Sequence, residues 1–176
     1  MDYIRIRNIT NKSTRNALVR VNRSNAASLV ESGKLEKPTF NFYAMTKNII
    51  TTQLSAAAQG LLFLSESDAP FEVVHWSVQG KLTPAQVLQL TDHPPDAPIE
   101  VVSVDEFFAI ATADEDWHDQ DERETAQRFQ NLVSILKQNL LQLQVYRVGS
   151  VSIDAYIVGV TDAGDYAGLA TKLVET

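Results

Sequence analysis

The sequence of 176 residues contains no cysteine. This absence excludes disulfide bonds, thiol catalysis and zinc sites built from thiolate ligands. Long hydrophobic runs are missing too, because a run such as residues 60–64 is far shorter than the roughly 20 apolar residues that span a membrane. No charged and then apolar leader with a small-residue cleavage site opens the chain. We therefore expect a cytoplasmic protein.

The sequence also lacks the motifs of common enzyme classes. It contains no glycine-rich phosphate loop, no His-Glu-x-x-His zinc helix, no Gly-x-Ser-x-Gly elbow and no paired-glycine dinucleotide motif. The three histidines lie on separate predicted elements, so their spacing does not indicate a shared metal site. We predict that His75, within a strand, has a structural role and that His93, before two prolines, is exposed in a loop.

Charge divides the chain into two parts, although the formal net charge is −7. Residues 1–44 contain 8 Lys and Arg against 3 Asp and Glu, whereas residues 45–176 contain 7 against 19. The first part is rich in Arg, Asn and Ser and has no sustained apolar face. We predict a basic, weakly ordered N-terminal extension over 1–44, with Met45 as an alternative start, and one globular domain over 45–176.

Apolar periodicity predicts helices within the second part. A first helix is expected to begin at Thr46 or Asn48. Its inward positions are Ile50, Leu54, Ala57 and Leu61. A short helix is expected to begin at Thr83 and Pro84, and the clearest helix is expected over 122–140. The apolar face of this last helix consists of Ala126, Phe129, Leu132, Val133, Leu136 and Leu140.

β-Branched and aromatic runs predict the strands of a sheet. The runs are residues 71–76, 99–103, 144–148, 151–160 and 169–174. Gly149 and Ser150 are typical of a tight turn between two of them. Together with the helices, these strands predict an α+β sandwich in which helices cover a mainly antiparallel sheet.

The most acidic stretch of the chain, residues 114–122, allows two interpretations. It has the acid density of a calcium loop, but an EF-hand needs glycine at its sixth position, where this stretch has Asp119. Such acids are typical of the solvated approach to a helix, and the alternative is a metal-dependent hydrolase that uses them with His118. Trp117 has no adjacent apolar run, so its ring either faces outward as a contact residue or folds back over the sheet edge.

The last residues follow a strand-like run, so we expect them to be held by the sheet and not to fray. Glu175, the Thr176 hydroxyl and the α-carboxylate form a compact set of hard oxygen donors. Such donors suit a metal ion or a cationic pocket of another protein. The simpler interpretation is that the domain ends on a sheet strand.

Several separated motifs, in this order, resemble the nuclease A inhibitor (NuiA) family. They are GLLFLSES at 60–67, PFEV at 70–73, DAP at 96–98, DW at 116–117, QVYR at 144–147 and TKLVET at 171–176. The similarity runs from about Met45 to Thr176 and leaves the basic first 44 residues uncovered.

The resemblance implies an inhibitor, not an enzyme, that plugs the active site of a sugar-non-specific, magnesium-dependent DNA/RNA endonuclease. It also implies a three-layer α/β/α sandwich similar to the PR-1-like fold. Thr176 would reach the catalytic magnesium of the nuclease, and Glu66 would imitate a substrate phosphate. Asp116 and Trp117 match further contact positions, whereas Glu115 stands where glutamine is expected.

We further expect no cofactor, no direct nucleic-acid partner, a monomer when free and a 1:1 complex with the nuclease. The expected partner-binding residues are Glu66, Glu115, Asp116, Trp117, Glu175 and Thr176. A nuclease that grips polyanions has a basic cleft, so an acidic domain would be steered towards it as nucleic acid is. The alternatives are a scaffold of the same fold without a partner and, ranked below it, the metal-dependent hydrolase.

Overall fold

The computed structural model of the chain describes residues 42–78, 80–113, 115 and 119–175. The chain divides into two units, Met1–Phe40 and Asn41–Thr176, and the described residues belong to the second. The extension predicted over 1–44 lies outside the described residues except for 42–44, and its weak order stays a prediction.

Four helices and seven strands follow one another in the described residues. They are α1 (Phe42–Ala58), β1 (Leu62–Phe63), β2 (Ala69–Pro70), β3 (Glu72–Trp76), α2 (Pro84–Leu90), β4 (Ile99–Val102), α3 (Val104–Phe107), α4 (Gln120–Asn139), β5 (Leu141–Val148), β6 (Ser152–Val160) and β7 (Tyr166–Val174). Every predicted strand has a counterpart within a few residues of its expected bounds. None of the helices in this part of the chain is long and apolar enough to cross a membrane.

The main sheet has five strands in the order β3-β7-β6-β5-β4, and each neighbouring pair is antiparallel. The last strand along the chain, β7, therefore lies inside the sheet and pairs with β3 on one side and β6 on the other. A separate two-stranded sheet joins β1 and β2. The predicted α+β class is confirmed, and interior pairing on both sides explains why the C-terminal strand is held in place.

The sheet carries helices on both faces. Alternate residues of β6 point to opposite faces, so Ile157 packs in one apolar cluster and Val158 in another. The Ile157 cluster includes buried residues of α1, α3 and α4, such as Phe129, whereas the Val158 cluster includes Val87 of α2. The domain is consequently a three-layer sandwich of helices, sheet and helix.

Helix α4 follows its sequence pattern closely. Its N-cap is Asp119, whose side chain accepts from the Glu122 amide at 2.9 Å, while the Glu122 carboxylate accepts from the Asp119 amide at 2.8 Å. All six residues predicted to face inward are buried. The acidic residues at 119–122 thus form the N-terminal end of a helix. This agrees with the interpretation of these acids as the approach to a helix.

The predicted start of α1 is wrong. The helix begins at Phe42, so Thr46 and Asn48 lie inside it and neither is its cap. Residues 42–44 include no Gly or Pro that would interrupt a helix, so the helical backbone continues through them. Ala57, expected to face inward, is partly buried against the core, and Ala58, four residues after the fully buried Leu54, is buried at 5% exposure.

The prediction that His93 is an exposed loop residue is also wrong. Its Nε2 lies 3.0 Å from Oδ2 of Asp154 on β6, and its Nδ1 lies 2.7 Å from the Thr91 hydroxyl. The His93 amide donates to the Leu88 carbonyl at 2.9 Å, which folds the loop back from α2 onto the sheet. The ammonium group of Lys172 on β7 donates a hydrogen bond to the other carboxylate oxygen of Asp154, Oδ1. Asp154 therefore ties the loop after α2 to two central strands.

Replacing Asp154 by asparagine is expected to lower the free energy of unfolding by about 1 kcal/mol near neutral pH, because partly exposed ion pairs contribute little. Burial by itself raises the pKa of Asp154, but the hydrogen bonds from Lys172 and His93 outweigh it and the folded-state pKa lies below its usual range. This stabilisation is present above the unfolded pKa of about 3.9 and is lost as the pH falls through the lower folded value.

Urea unfolding of the parent and of Asp154→Asn across the acid range measures this effect. The difference in stability between the two proteins should close as the pH falls below the folded pKa. A difference that stays constant from neutral to strongly acidic pH would contradict the assigned role of Asp154.

Candidate partner-binding site

The end of β7 lies against the loop between β1 and β2. The Glu66 amide donates to the Val174 carbonyl at 3.4 Å, and the Val174 amide donates to the Ser65 hydroxyl oxygen at 3.3 Å. The same hydroxyl donates to the Ser67 carbonyl at 2.6 Å, which stabilises the turn. These bonds place Glu66 beside the chain segment that carries Glu175, so two of the predicted partner-binding residues meet at one end of the sheet.

Glu175 is bonded to the sheet through both its backbone and its side chain. Its amide donates to the Val151 carbonyl at 3.0 Å, in the turn between β5 and β6. Its Oε2 accepts from Nη2 of Arg147 at 2.6 Å, while Nη1 of Arg147 donates to Oε2 of Glu100 at 2.8 Å. The Arg147 side chain is 20% exposed, so a largely buried guanidinium joins two carboxylates.

A cleft of about 730 Å³ opens beside Glu175, between the sheet and the helical layer of α3 and α4. Many of its lining side chains are apolar, including Phe63, Leu64, Phe107, Ile110, Phe129 and Leu173. Arg147 also lines the cleft, together with three acidic residues from α3 and α4: Glu106, Asp121 and Glu122. The cleft thus combines apolar walls with an excess of negative charge.

Large apolar side chains are exposed around this end of the domain. Leu64 is 69% exposed and Ile110 is 92% exposed, and both line the cleft. Val151, which accepts the hydrogen bond from Glu175, is 55% exposed. Exposed apolar residues that are bordered by polar and charged ones are typical of a surface that contacts another protein.

The structure describes one of the four remaining predicted contact residues. Glu115 is exposed and lies shortly before α4. Asp116, Trp117 and Thr176 lie outside the described residues, as does His118 of the suggested hydrolase site. Among the residues that the structure describes, no group of three or more His, Cys, Asp or Glu side chains is arranged to hold a metal ion.

His75 has the structural role predicted for it. Its Nε2 lies 3.3 Å from Oδ2 of Asp165, and both side chains are largely buried at 11% and 2% exposure. This pair lies towards the end of the sheet where Trp76 pairs with Tyr166, opposite the end that carries Glu175. It therefore takes no part in the candidate site.

Two residues of the site were missed by the sequence analysis, Ser65 and Arg147. Ser65 lies in a serine-rich turn and gives no distinct signal, because serine is common in any turn. Arg147 does give a signal, since it is a charged residue within the otherwise apolar run of residues 145–148. A charge inside a strand of a covered sheet requires partners, and here they are Glu100 and Glu175.

Comparison with known proteins gives one family. The sequence model of the family described as nuclease A inhibitor-like protein (NuiA) matches residues 48–176. This range contains the cleft, the loop with Glu66 and the end of β7. No curated protein matches the chain.

Proposed function

The chain belongs to the family of nuclease A inhibitor-like proteins, and we propose that it inhibits a sugar-non-specific, magnesium-dependent DNA/RNA endonuclease. In this proposal the domain occupies the active site of the nuclease, and cleavage stops because nucleic acid can no longer enter. Membership of the family supports a protein that acts by binding another protein and carries out no reaction itself.

The observation that carries the proposal is the meeting of Glu66 with the segment of Glu175 at the end of β7. The Glu66 carboxylate beside the end of a rigid strand, together with the oxygen donors of the chain end after Glu175, offers a nuclease the negative charge that it normally finds in phosphates. The domain over 45–176 has 19 acidic against 7 basic residues, which favours long-range attraction to a basic cleft.

Each predicted contact has a role in the proposed complex. Thr176 provides oxygen donors to the magnesium ion of the nuclease, a hard cation that prefers oxygen ligands. Glu66 takes the place of a substrate phosphate. Glu115, Asp116 and Trp117 make further contacts, and the exposed apolar residues Leu64 and Ile110 complete the surface. The free protein is monomeric and binds one nuclease molecule.

Titration of a magnesium-dependent, non-specific nuclease with the purified chain tests this function. We expect cleavage of both DNA and RNA to fall to zero at a stoichiometry of one to one. The matched control is Asp162→Asn, which removes one negative charge from the exposed turn at the opposite end of the sheet and should inhibit like the parent. Undiminished cleavage at saturating concentrations of the chain would overturn the proposal.

A further inference from the structure

We propose that Arg147 is a positioning residue for the proposed inhibitory site. It holds the carboxylate of Glu175 and so fixes the direction in which the chain leaves β7. This inference rests on the proposed function, but it changes the role of Glu175. Glu175 acts through Arg147, inside the protein, and does not act as an independent contact with the nuclease.

The Arg147 side chain connects residues from three parts of the sheet. Arg147 lies on β5 and is directly opposite Glu100 on β4. Its two Nη atoms donate in different directions, one to Glu100 at 2.8 Å and the other to Glu175, just beyond β7, at 2.6 Å. Both distances are short, as expected for charge-assisted hydrogen bonds. One guanidinium therefore links β4, β5 and the residue that follows β7.

Burial of Arg147 makes this link different from an ordinary surface ion pair. Its side chain is 20% exposed, while the side chains of Glu100 and Glu175 are 62% and 55% exposed. The guanidinium is anchored in a covered strand, so its fork has little freedom to move away from its two partners. Glu175, which lies beyond the β6–β7 ladder, is the partner that this bond orders.

Two attachments fix the orientation of Glu175. The backbone bond from its amide to Val151 alone would leave rotation of the following chain open. The side-chain bond to Arg147 adds a second fixed point on the other side of the residue. A segment that is already ordered before binding loses less conformational entropy in the complex, which increases affinity without adding a contact.

The link between Arg147 and Glu175 lies outside the strand pairing of the sheet. Strand β7 pairs with β6 from Val174 back to Tyr166, and that ladder ends before Glu175. Loss of the Arg147–Glu175 bond should therefore leave the sheet intact while freeing the segment after β7. This separation allows a positioning role to be distinguished from a role in stability.

A double-mutant cycle in the inhibition assay tests the proposal. The variants are Arg147→Gln, Glu175→Gln and the combination of both, measured with the full chain. Each single change is expected to weaken inhibition about tenfold, and the double change should weaken it no further, because residues that act as a unit are not additive. A loss of about a hundredfold in the double variant would show that Glu175 contacts the nuclease independently, and it would overturn the proposal.

Two further variants separate geometry from charge. Arg147→Lys keeps the positive charge but has no fork to reach two carboxylates, so it should weaken inhibition as Arg147→Gln does. Lys81→Gln removes a positive charge from the segment bonded to Tyr166, at the opposite end of β7, and should inhibit like the parent. Full inhibition by Arg147→Lys would show that only the positive charge matters, and it would contradict the positioning role proposed for the guanidinium of Arg147.

Backbone order of the free protein gives a readout without the nuclease. Nitrogen-15 relaxation should show the amide of Thr176, the residue after Glu175, to be more mobile in Arg147→Gln and in Glu175→Gln than in the parent, while the amide of Leu169 inside β7 keeps its order. An unchanged Thr176 amide in Arg147→Gln would overturn the proposal even if inhibition falls. If the parent chain fails to inhibit the nuclease, the proposed function fails, and the relaxation measurement still decides whether Arg147 orders Glu175.

Discussion

Deletion of Thr176 and the replacement Glu66→Gln are each expected to weaken nuclease inhibition by about 2–5 kcal/mol, the range found when one partner of a desolvated charge pair is lost. Removing Thr176 takes away its hydroxyl and moves the carboxylate away from the magnesium ion. Replacing Glu66 removes a negative charge that would face the cations of the nuclease. Folding should not change, because β7 ends at Val174 and keeps its pairing with β6.

The combination of the two changes should be less than additive. Both groups would enter one basic, metal-bearing cavity, and the hydrogen bonds between residues 65–66 and Val174 join the segments that carry them. Inhibition constants for the parent, the two single variants and the double variant measure the coupling. Circular dichroism and thermal melting provide the folding control, and Asp162→Asn controls for the loss of one negative charge. Unaltered inhibition by both single variants would refute binding in the nuclease active site.

Replacing Gly168 by alanine is expected to lower the free energy of unfolding by about 3 kcal/mol or more, because added atoms in a packed interior force the backbone apart. A Cβ atom at Gly168 would lie 1.9 Å from the Ile157 carbonyl oxygen and 2.9 Å from Cα of Val158. The neighbouring backbone has no direction in which to yield, since Gly168 is paired with Val74 on one side and Val158 on the other.

Gly60→Ala is the matched control for this substitution. A Cβ atom at Gly60 would be in ordinary van der Waals contact with Arg128 Nη2, at 3.7 Å. The expected decrease of about 1–2 kcal/mol in the free energy of unfolding therefore comes from the positive φ of 71°. Urea unfolding measures this decrease for both variants. A smaller decrease for Gly168→Ala than for Gly60→Ala would show that β6 and β7 can separate locally, contrary to the packing of the sheet.

Inhibition assays with Gly168→Ala also separate the fold from the site. At a temperature where the variant is still folded, the end of β7 should present Glu175 as before. Its inhibition is then expected to match that of the parent. A folded variant without inhibition would indicate that the packing at Gly168 controls the geometry at the end of the strand.

The family and the elements of the fold were predictable from local patterns. The match over residues 48–176 confirms the resemblance that separated motifs had indicated. The helix over Gln120–Asn139 was predictable because its apolar residues repeat at helical spacing, and the five of them that were expected to face inward are buried. The start of α1 was not predictable, because Thr and Asn can cap a helix or lie within it and only the backbone decides between the two.

The candidate site was predictable in part. The resemblance indicated Glu66, and the oxygen donors at the end of the chain indicated Glu175; the structure brings their segments together through Ser65 and Val174. The contacts assigned to Asp116, Trp117 and Thr176 stay predictions, as does that of Glu115. Arg147 could be recognised as an unusual charge in an apolar strand, but its two partners lie on β4 and after β7 and could not be named from the sequence.

The sequence by itself determined the helix faces, the strand runs, the acidic character of the domain and its family, because each of these depends on residues close together in the chain or on their composition. Only the tertiary structure decided that β7 lies inside the sheet, that Glu66 meets the Glu175 segment, and that His93 is bonded to Asp154. These contacts join residues far apart in the chain. They follow from the order and register of the strands, which form through the packing of both faces of the sheet at once.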